Sequence, residues 1–61
     1  MFKIGDTVKN VEGWQGTVVG THTSPRFGRQ CLVQYVSARE WESEDALFLA
    51  AKAPVIDAPP L

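Results

Sequence analysis

The chain carries few side chains that could act in catalysis or bind a metal. It has one cysteine, Cys31, and one histidine, His22, so an intrachain disulfide is excluded and a zinc site would have one thiolate and one imidazole at most. A cysteine at the start of an apolar run is typical of an inert buried thiol, and His22 reads as a solvated loop residue. No serine, histidine and aspartate spacing indicates a catalytic triad. We expect no metal site and no nucleophilic catalysis.

Arg26, Phe27 and Arg29 form a short basic and aromatic segment. At the tip of a loop, such a segment can grip a phosphate or a nucleobase; the simpler interpretation is an adaptable, solvated loop. The formal net charge of the chain is −1, which leaves no basic excess for the phosphate neutralisation that drives most nucleic-acid binding. We therefore expect no general nucleic-acid partner.

A second cluster combines aromatic and acidic side chains. Glu40 and Glu42 flank Trp41, and Tyr35 precedes them. We interpret Trp41 as core or subunit interface; the alternative is an exposed groove with Tyr35, of the kind in which small β-barrels bind extended peptides. In that case Trp41→Ala weakens ligand capture more than folding. The carboxylates are typical of a solvated strand edge, although they could also imitate nucleic-acid charge or dock on a basic host protein.

Short β-strands must position these residues. Cys31, Val33 and Tyr35 alternate with Leu32, Gln34 and Val36, which predicts a strand with two distinct faces. Trp14 begins a turn rich in glycine, and we interpret it as a structural aromatic covering one end of the fold, with ligand stacking as the alternative. The predicted strands are Thr7–Lys9, Gln15–Thr21, Cys31–Val36, Arg39–Glu42 and Phe48–Ala50.

The connections complete a small all-β fold. His22–Gln30 is polar and contains Pro25 and Gly28, which predicts the longest and most exposed loop. Ser43–Leu47 predicts a single helical turn with Ser43 as its N-cap. Five short strands and one terminal turn indicate an SH3-like barrel over residues 1–50. Three prolines beyond position 50 predict an extended tail over residues 51–61.

The length of the chain bears on its assembly. Sixty-one residues form one domain near the lower size at which a core is stable without disulfides, metal or a partner subunit. A homo-oligomer, dimer or tetramer, is therefore expected, and a further protein partner is possible on the exposed faces. Neither a signal peptide nor an apolar run of membrane-spanning length is present. We expect a cytoplasmic protein without a membrane partner.

One stretch is specific enough to indicate a family. Phe2, Gly5-Asp6, Val8 and Trp14-Gln15-Gly16 with Val18-Val19-Gly20 resemble the start of the type II dihydrofolate reductases, the plasmid- and integron-borne, trimethoprim-insensitive enzymes. The resemblance covers residues 2–49, closing at Ala46-Leu47. It implies an SH3-like barrel, four copies of which surround one pore that binds NADPH and dihydrofolate.

The functional residues of that family are absent from the matching positions of this chain. Its pore strand has Val-Gln-Ile-Tyr, where this chain has Arg39–Glu42, and its pore lysine falls on Asn10. A fourfold pore lined by Glu40 and Glu42 would place many carboxylates around two anionic ligands, which is unfavourable. We expect a non-catalytic, oligomerising barrel that binds a macromolecule or acts as a scaffold, without a cofactor. The alternative is an NADPH-dependent reductase with a divergent pore.

Overall fold

A computed structural model describes residues 1–52, which form five antiparallel strands and one 3-10 turn. The 3-10 turn spans Glu44–Ala46, and the sheet order is β4-β3-β2-β1-β5. The strands are β1 (Thr7–Lys9), β2 (Gln15–Ser24), β3 (Gly28–Gln34), β4 (Arg39–Ser43) and β5 (Phe48–Ala51). The first four follow one another as hairpins, and β5 returns to pair with β1. This confirms the predicted fold class, a small all-β fold of the SH3-like barrel type with one 3-10 turn.

The core consists of side chains from the inner face of the sheet. Val8, Val18, Cys31 and Val33 are fully buried, and Tyr35 is 8% exposed. Each valine of this kind stabilises the fold by about 1.5–3 kcal/mol relative to an exposed one. The predicted alternation over residues 31–36 is confirmed, because Cys31, Val33 and Tyr35 face inward, whereas Leu32 and Gln34 are partly exposed and Val36 is fully exposed. The predicted end of the strand at Val36 is wrong, since β3 ends at Gln34.

Strand β2 curves so that the sheet can wrap around this core. Its pairing with β3 shifts register between Val18 and Gly20, and such a bulge increases local bend and twist. Gly16 lies where the strands approach most closely: a Cβ there would be 2.5 Å from Val33 Cγ1 and 2.9 Å from the Gln34 carbonyl oxygen. Glycine is therefore required at position 16 by packing.

The prediction of a long loop over His22–Gln30 is wrong. Strands β2 and β3 continue through most of it and leave only residues 25–27 as a turn. Ser24 Oγ accepts hydrogen bonds from the backbone N–H groups of Arg26 and Phe27, each at 3.2 Å, and Gly28 has a φ of 74°. The side chain of Ser24 thus closes a tight hairpin, for which glycine supplies the left-handed residue.

The remaining boundaries follow the predictions closely. Ser43 precedes the 3-10 turn in extended conformation, but its side chain makes no capping hydrogen bond. Strand β5 includes Ala51, one residue beyond the predicted end of the strand at Ala50, and the predicted tail from residue 53 lies outside the described residues. Within residues 1–52, no helix is long and apolar enough to cross a bilayer.

Candidate functional site

A pocket of about 200 Å³ opens between the β1–β2 turn and the β3–β4 turn. Asn10, Glu12 and Trp14 line it from the first turn, and Tyr35 and Glu40 line it from the second turn and β4. Both turns belong to tight hairpins, closed by backbone hydrogen bonds from Asn10 to Trp14 and from Tyr35 to Ala38. The hairpin geometry therefore places aromatic and acidic side chains around one concavity.

The Asn10 side chain holds the first turn in shape. Its Oδ1 accepts hydrogen bonds from the backbone N–H groups of Glu12 at 2.9 Å and Trp14 at 3.0 Å. Its Nδ2 donates to the Tyr35 hydroxyl at 3.4 Å. This is an Asx-type turn extended by a cross-strand contact. One carboxamide thus links the backbone that carries Glu12 and Trp14 to the tyrosine on the other side of the pocket.

Tyr35 forms the buried side of the pocket. Its hydroxyl donates a hydrogen bond to Glu42 Oε2 at 2.5 Å, and Glu42 lies on the inner side of β4, opposite Cys31. Burial, reinforced by this carboxylate, raises the pKa of Tyr35 to about 12. The phenol is therefore neutral at physiological pH. It acts as a fixed hydrogen-bonding group, with its proton committed to Glu42.

The electrostatic character of the pocket is acidic. Glu12 and Glu40 are exposed at its rim, and within residues 1–52 neither carboxylate has an ion pair. The one ion pair in the described part of the chain joins Arg29 and Glu44. No lysine or arginine is among the described residues that line the pocket. The two rim carboxylates are thus free to interact with a positive group from outside the chain.

Trp14 is a pocket residue rather than a core residue. Its side chain is 63% exposed, so the interpretation of a structural aromatic covering the end of the barrel is wrong for the described chain. An exposed indole at the edge of a concavity is accessible to a ligand or partner and can stack on it. The exposure favours the alternative interpretation, in which Trp14 stacks on a ligand.

Within residues 1–52, Trp41 and Tyr35 lie on opposite faces of the sheet, which argues against the alternative of a groove shared by the two. Trp41 pairs with Leu32 across β3 and β4, which places it on the outer face, whereas Tyr35 points inward. Trp41 is 52% exposed and makes an edge contact with His22, with ring centroids 6.2 Å apart. It is therefore not a core residue of this chain. Its predicted role at a subunit interface is not tested by the fold.

Glu40 and Glu42 lie on the face opposite Trp41, as predicted, but that face is the inner one. They pair with Val33 and Cys31 across the hairpin. Glu40 stays exposed because β4 is an edge strand of the sheet, and Glu42 is half-buried beside Tyr35. They are therefore positioned to shape the pocket, rather than only to solvate a strand edge.

The structure separates the three residues of the basic and aromatic segment. Arg26 and Phe27 are exposed in the hairpin turn. Arg29 is half-buried: its Nε donates to Glu44 Oε2 and its Nη2 donates to the Phe2 carbonyl oxygen, both at 3.0 Å. Glu44 Oε2 also accepts from the Phe2 N–H at 3.0 Å. Arg29 thus fastens the N-terminal segment to the 3-10 turn, and its guanidinium is already occupied.

Cys31 is buried, as expected, whereas His22 lies on strand β2 and not in a loop. Cys31 is fully buried, and burial, with a smaller contribution from the Glu44 carboxylate, raises the pKa of its thiol. His22 is exposed on the outer face. Within residues 1–52, no group of three or more histidine, cysteine, aspartate or glutamate side chains could hold a metal ion.

No protein-family model, curated protein or solved structure matches the chain. The resemblance to the type II dihydrofolate reductases therefore remains a prediction from sequence, and a functional assignment depends on the geometry of the pocket.

Three pocket residues were not identified as such from the sequence. Asn10 was considered as the position of the reductase family's pore lysine, Glu12 was not singled out as a site residue, and Trp14 was interpreted as structural, with ligand stacking as the alternative. The sequence did contain a pattern that could have indicated the ordered turn. An asparagine four residues before a tryptophan in a glycine-containing turn can accept hydrogen bonds from the turn backbone. That arrangement points a large aromatic side chain away from the hairpin.

Proposed function

We propose that this chain is a non-catalytic protein-binding module of SH3-like fold, which captures a segment of another protein at the Trp14 pocket. The observation that carries the proposal is the exposed indole of Trp14 on a turn that Asn10 holds in shape. A turn that is ordered before binding loses little conformational entropy when a partner docks. Tryptophan is also among the residues that contribute most to binding at protein interfaces.

The chemistry of the pocket supports binding better than catalysis. The Tyr35 proton is committed to Glu42, and the raised pKa of Tyr35, about 12, makes the phenol a weak acid at neutral pH. The Cys31 thiol is fully buried, so it is out of reach of a substrate in the pocket. Shape and charge complementarity are what these side chains offer to a ligand.

The reductase alternative has less support from the geometry. The pocket volume, about 200 Å³, is below the range of about 300–1,000 Å³ that is typical of small-molecule sites. Its free charges are carboxylates, which repel the phosphates of NADPH and the glutamate of a folate. A pore formed by several copies of the chain would still expose Glu40 on β4.

Selection from a random peptide library displayed on phage tests the proposal. The full chain, Trp14→Ala and Trp41→Ala would be immobilised in parallel, after circular dichroism has shown that each variant is folded. We expect one peptide consensus to be enriched on the wild type and on Trp41→Ala and to be lost on Trp14→Ala. Trp41 is the matched control, because it is an equally large, exposed aromatic on the outer face.

Two results would overturn the proposal. Absence of any enriched consensus on the folded wild-type chain would contradict a peptide-binding function. Enrichment that survives Trp14→Ala but is lost with Trp41→Ala would place binding on the outer face and would remove the pocket from the assignment.

A further inference from the structure

The Trp14 pocket joins an aromatic face to uncompensated negative charge. The indole of Trp14 is 63% exposed, and the carboxylates of Glu12 and Glu40 stand at the rim without an ion pair within residues 1–52. Among aromatic side chains, a tryptophan ring attracts a cation over its face most strongly. A carboxylate strengthens that attraction, because it forms charge-assisted hydrogen bonds with guanidinium and ammonium groups.

We propose that the pocket binds a cationic side chain, arginine or lysine, that projects from the partner protein. This inference rests on the proposed binding function and names the chemistry that the pocket recognises. Its volume of about 200 Å³ suits one long side chain better than a folded element. The cation lies against the Trp14 ring, and the Glu12 and Glu40 carboxylates pair with it from the rim.

The inner side of the pocket keeps this arrangement specific for positive charge. Glu42 accepts a hydrogen bond from the Tyr35 hydroxyl, and the Tyr35 oxygen in turn accepts one from Asn10 Nδ2 at 3.4 Å. The Tyr35 phenol is neutral, and the charge of Glu42 lies behind it. An anionic side chain would meet carboxylates and gain no partner, because none of the described residues lining the pocket is basic.

The test uses peptides of the form acetyl-Gly-Gly-Xaa-Gly-Gly-amide, in which Xaa is arginine, lysine, norleucine or glutamate. Two-dimensional nitrogen–proton spectra of the full chain would follow the indole N–H resonances of its two tryptophans. We expect saturable shifts of the Trp14 resonance with the arginine and lysine peptides, and binding at least about ten-fold weaker with norleucine or glutamate. The Trp41 resonance, on the outer face, serves as an internal control. The ratio of arginine to lysine affinity identifies the preferred source of the charge.

Charge-neutralising variants separate this proposal from simple apolar capture. We expect Glu12→Gln and Glu40→Gln each to weaken binding of the arginine peptide by about five-fold, with the fold unchanged. Asp45→Asn is the matched control, because Asp45 is an exposed acidic residue on the 3-10 turn that does not line the pocket. Raising the salt concentration should also weaken binding, since the rim carboxylates are exposed.

The outcomes distinguish this proposal from the proposed function. Equal shifts with the norleucine and arginine peptides would overturn recognition of a cation and leave peptide binding at Trp14 in place. Equal affinity of Glu40→Gln, Glu12→Gln and Asp45→Asn would have the same meaning. If no peptide shifts the Trp14 resonance, the cation site is rejected, and the phage selection then decides independently whether the chain binds peptides at all.

Discussion

The hydroxyl of Tyr35 donates a 2.5 Å hydrogen bond to Glu42 Oε2 across the β3–β4 hairpin. This contact sits between the core and the pocket, because the Tyr35 ring is 8% exposed and its hydroxyl also accepts from Asn10. The Tyr35 hydroxyl oxygen therefore links three features of the fold. These are the packing of the core, the orientation of the Trp14 turn and the negative charge of Glu42 below the pocket.

The alkaline titration of Tyr35 provides the first prediction. Its pKa is about 12, against an ordinary value of 10.0, so the folded chain holds its proton more tightly than the unfolded chain does. The resulting stabilisation is complete below pH 10 and is lost as pH rises from about 10 to about 12, by about 1–3 kcal/mol in total. Tyr35 is the only tyrosine, so the appearance of phenolate absorbance with pH measures its pKa directly.

Two variants check the cause. Glu42→Gln keeps a hydrogen-bond acceptor but removes the charge, and should move the Tyr35 titration back toward its ordinary value. Tyr35→Phe should reduce the loss of unfolding free energy at high pH; a part remains because the buried Cys31 thiol, with its raised pKa, has an effect of the same sign. A Tyr35 midpoint near 10 in the folded wild type would contradict the raised pKa that burial and the Glu42 carboxylate together produce.

The link from Arg29 to the N-terminal segment provides the second prediction. Arg29 bonds to both Glu44 and the Phe2 carbonyl, and its side chain is 29% exposed. Arg29→Ala should lower the free energy of unfolding in urea by about 1–2 kcal/mol, since it leaves half-buried polar groups unpaired. Arg26→Ala, in the exposed hairpin turn, should change it by less than about 0.5 kcal/mol. Equal effects of the two substitutions would contradict a structural role for Arg29.

Close packing at Gly16 provides the third prediction. Because a Cβ at this position would meet Val33 Cγ1 at 2.5 Å and the Gln34 carbonyl oxygen at 2.9 Å, Gly16→Ala must push β2 away from β3. We expect a loss of about 2–3 kcal/mol, typical of overpacking in a well-packed core. Gly20→Ala is the control, because its nearest neighbour would be Leu32 Cβ at 3.4 Å. Thermal unfolding followed by circular dichroism should show a clearly lower midpoint for Gly16→Ala only.

The strands could be predicted from local patterns because their signals are local. Thr7–Lys9 was predicted with the bounds that β1 has, and the alternation of Cys31, Val33 and Tyr35 identified the buried face. The extension of β2 and β3 through His22–Gln30 was not predicted. In this part of the hairpin the strands extend past the core, so their side chains are mostly polar and do not alternate between apolar and polar. Had a hairpin turn from Ser24 to Gly28 been predicted, Arg29 would have been placed on β3, on the same face as Cys31. The structure has Arg29 in that position.

The site was less predictable because it depends on register and on turn contacts between distant residues. Whether Trp41 shares a face with Tyr35 is decided by its pairing with Leu32, and one step of register would reverse the answer. The bond from Asn10 to Tyr35 joins residues 25 positions apart. No periodicity within either segment encodes such a contact.

The absence of reductase activity is the fourth prediction. Because the charged side chains that line the pocket are the carboxylates of Glu12 and Glu40, which repel two anionic ligands, we expect no oxidation of NADPH in the presence of dihydrofolate. The measurement is the decrease in NADPH absorbance at high protein concentration, with and without trimethoprim. Trimethoprim-resistant turnover that rises with protein concentration would instead support the reductase alternative and a pore formed by several copies.

Self-association is the fifth prediction, and the two edges of the sheet show where it should occur. Strand β4 is an edge that carries Arg39, Glu40 and Glu42, and such charges discourage pairing with another sheet. Strand β5 is the opposite edge, and all four of its residues, Phe-Leu-Ala-Ala, are exposed and uncharged. We therefore expect a homo-oligomer, dimer or tetramer, that forms through β5.

The substitution Phe48→Glu tests this edge without harming the fold. Phe48 is 60% exposed and pairs with Lys9 on β1, so a glutamate there gains an opposite charge within the chain and repels a second copy. Light scattering after size exclusion should give an oligomer for the wild type and a monomer for Phe48→Glu. Val36→Glu, at a fully exposed apolar residue of the β3–β4 turn, should remain oligomeric. A monomeric wild type would refute self-association, and loss of the oligomer in Val36→Glu alone would place the interface at the pocket end, where it would compete with the partner for Trp14.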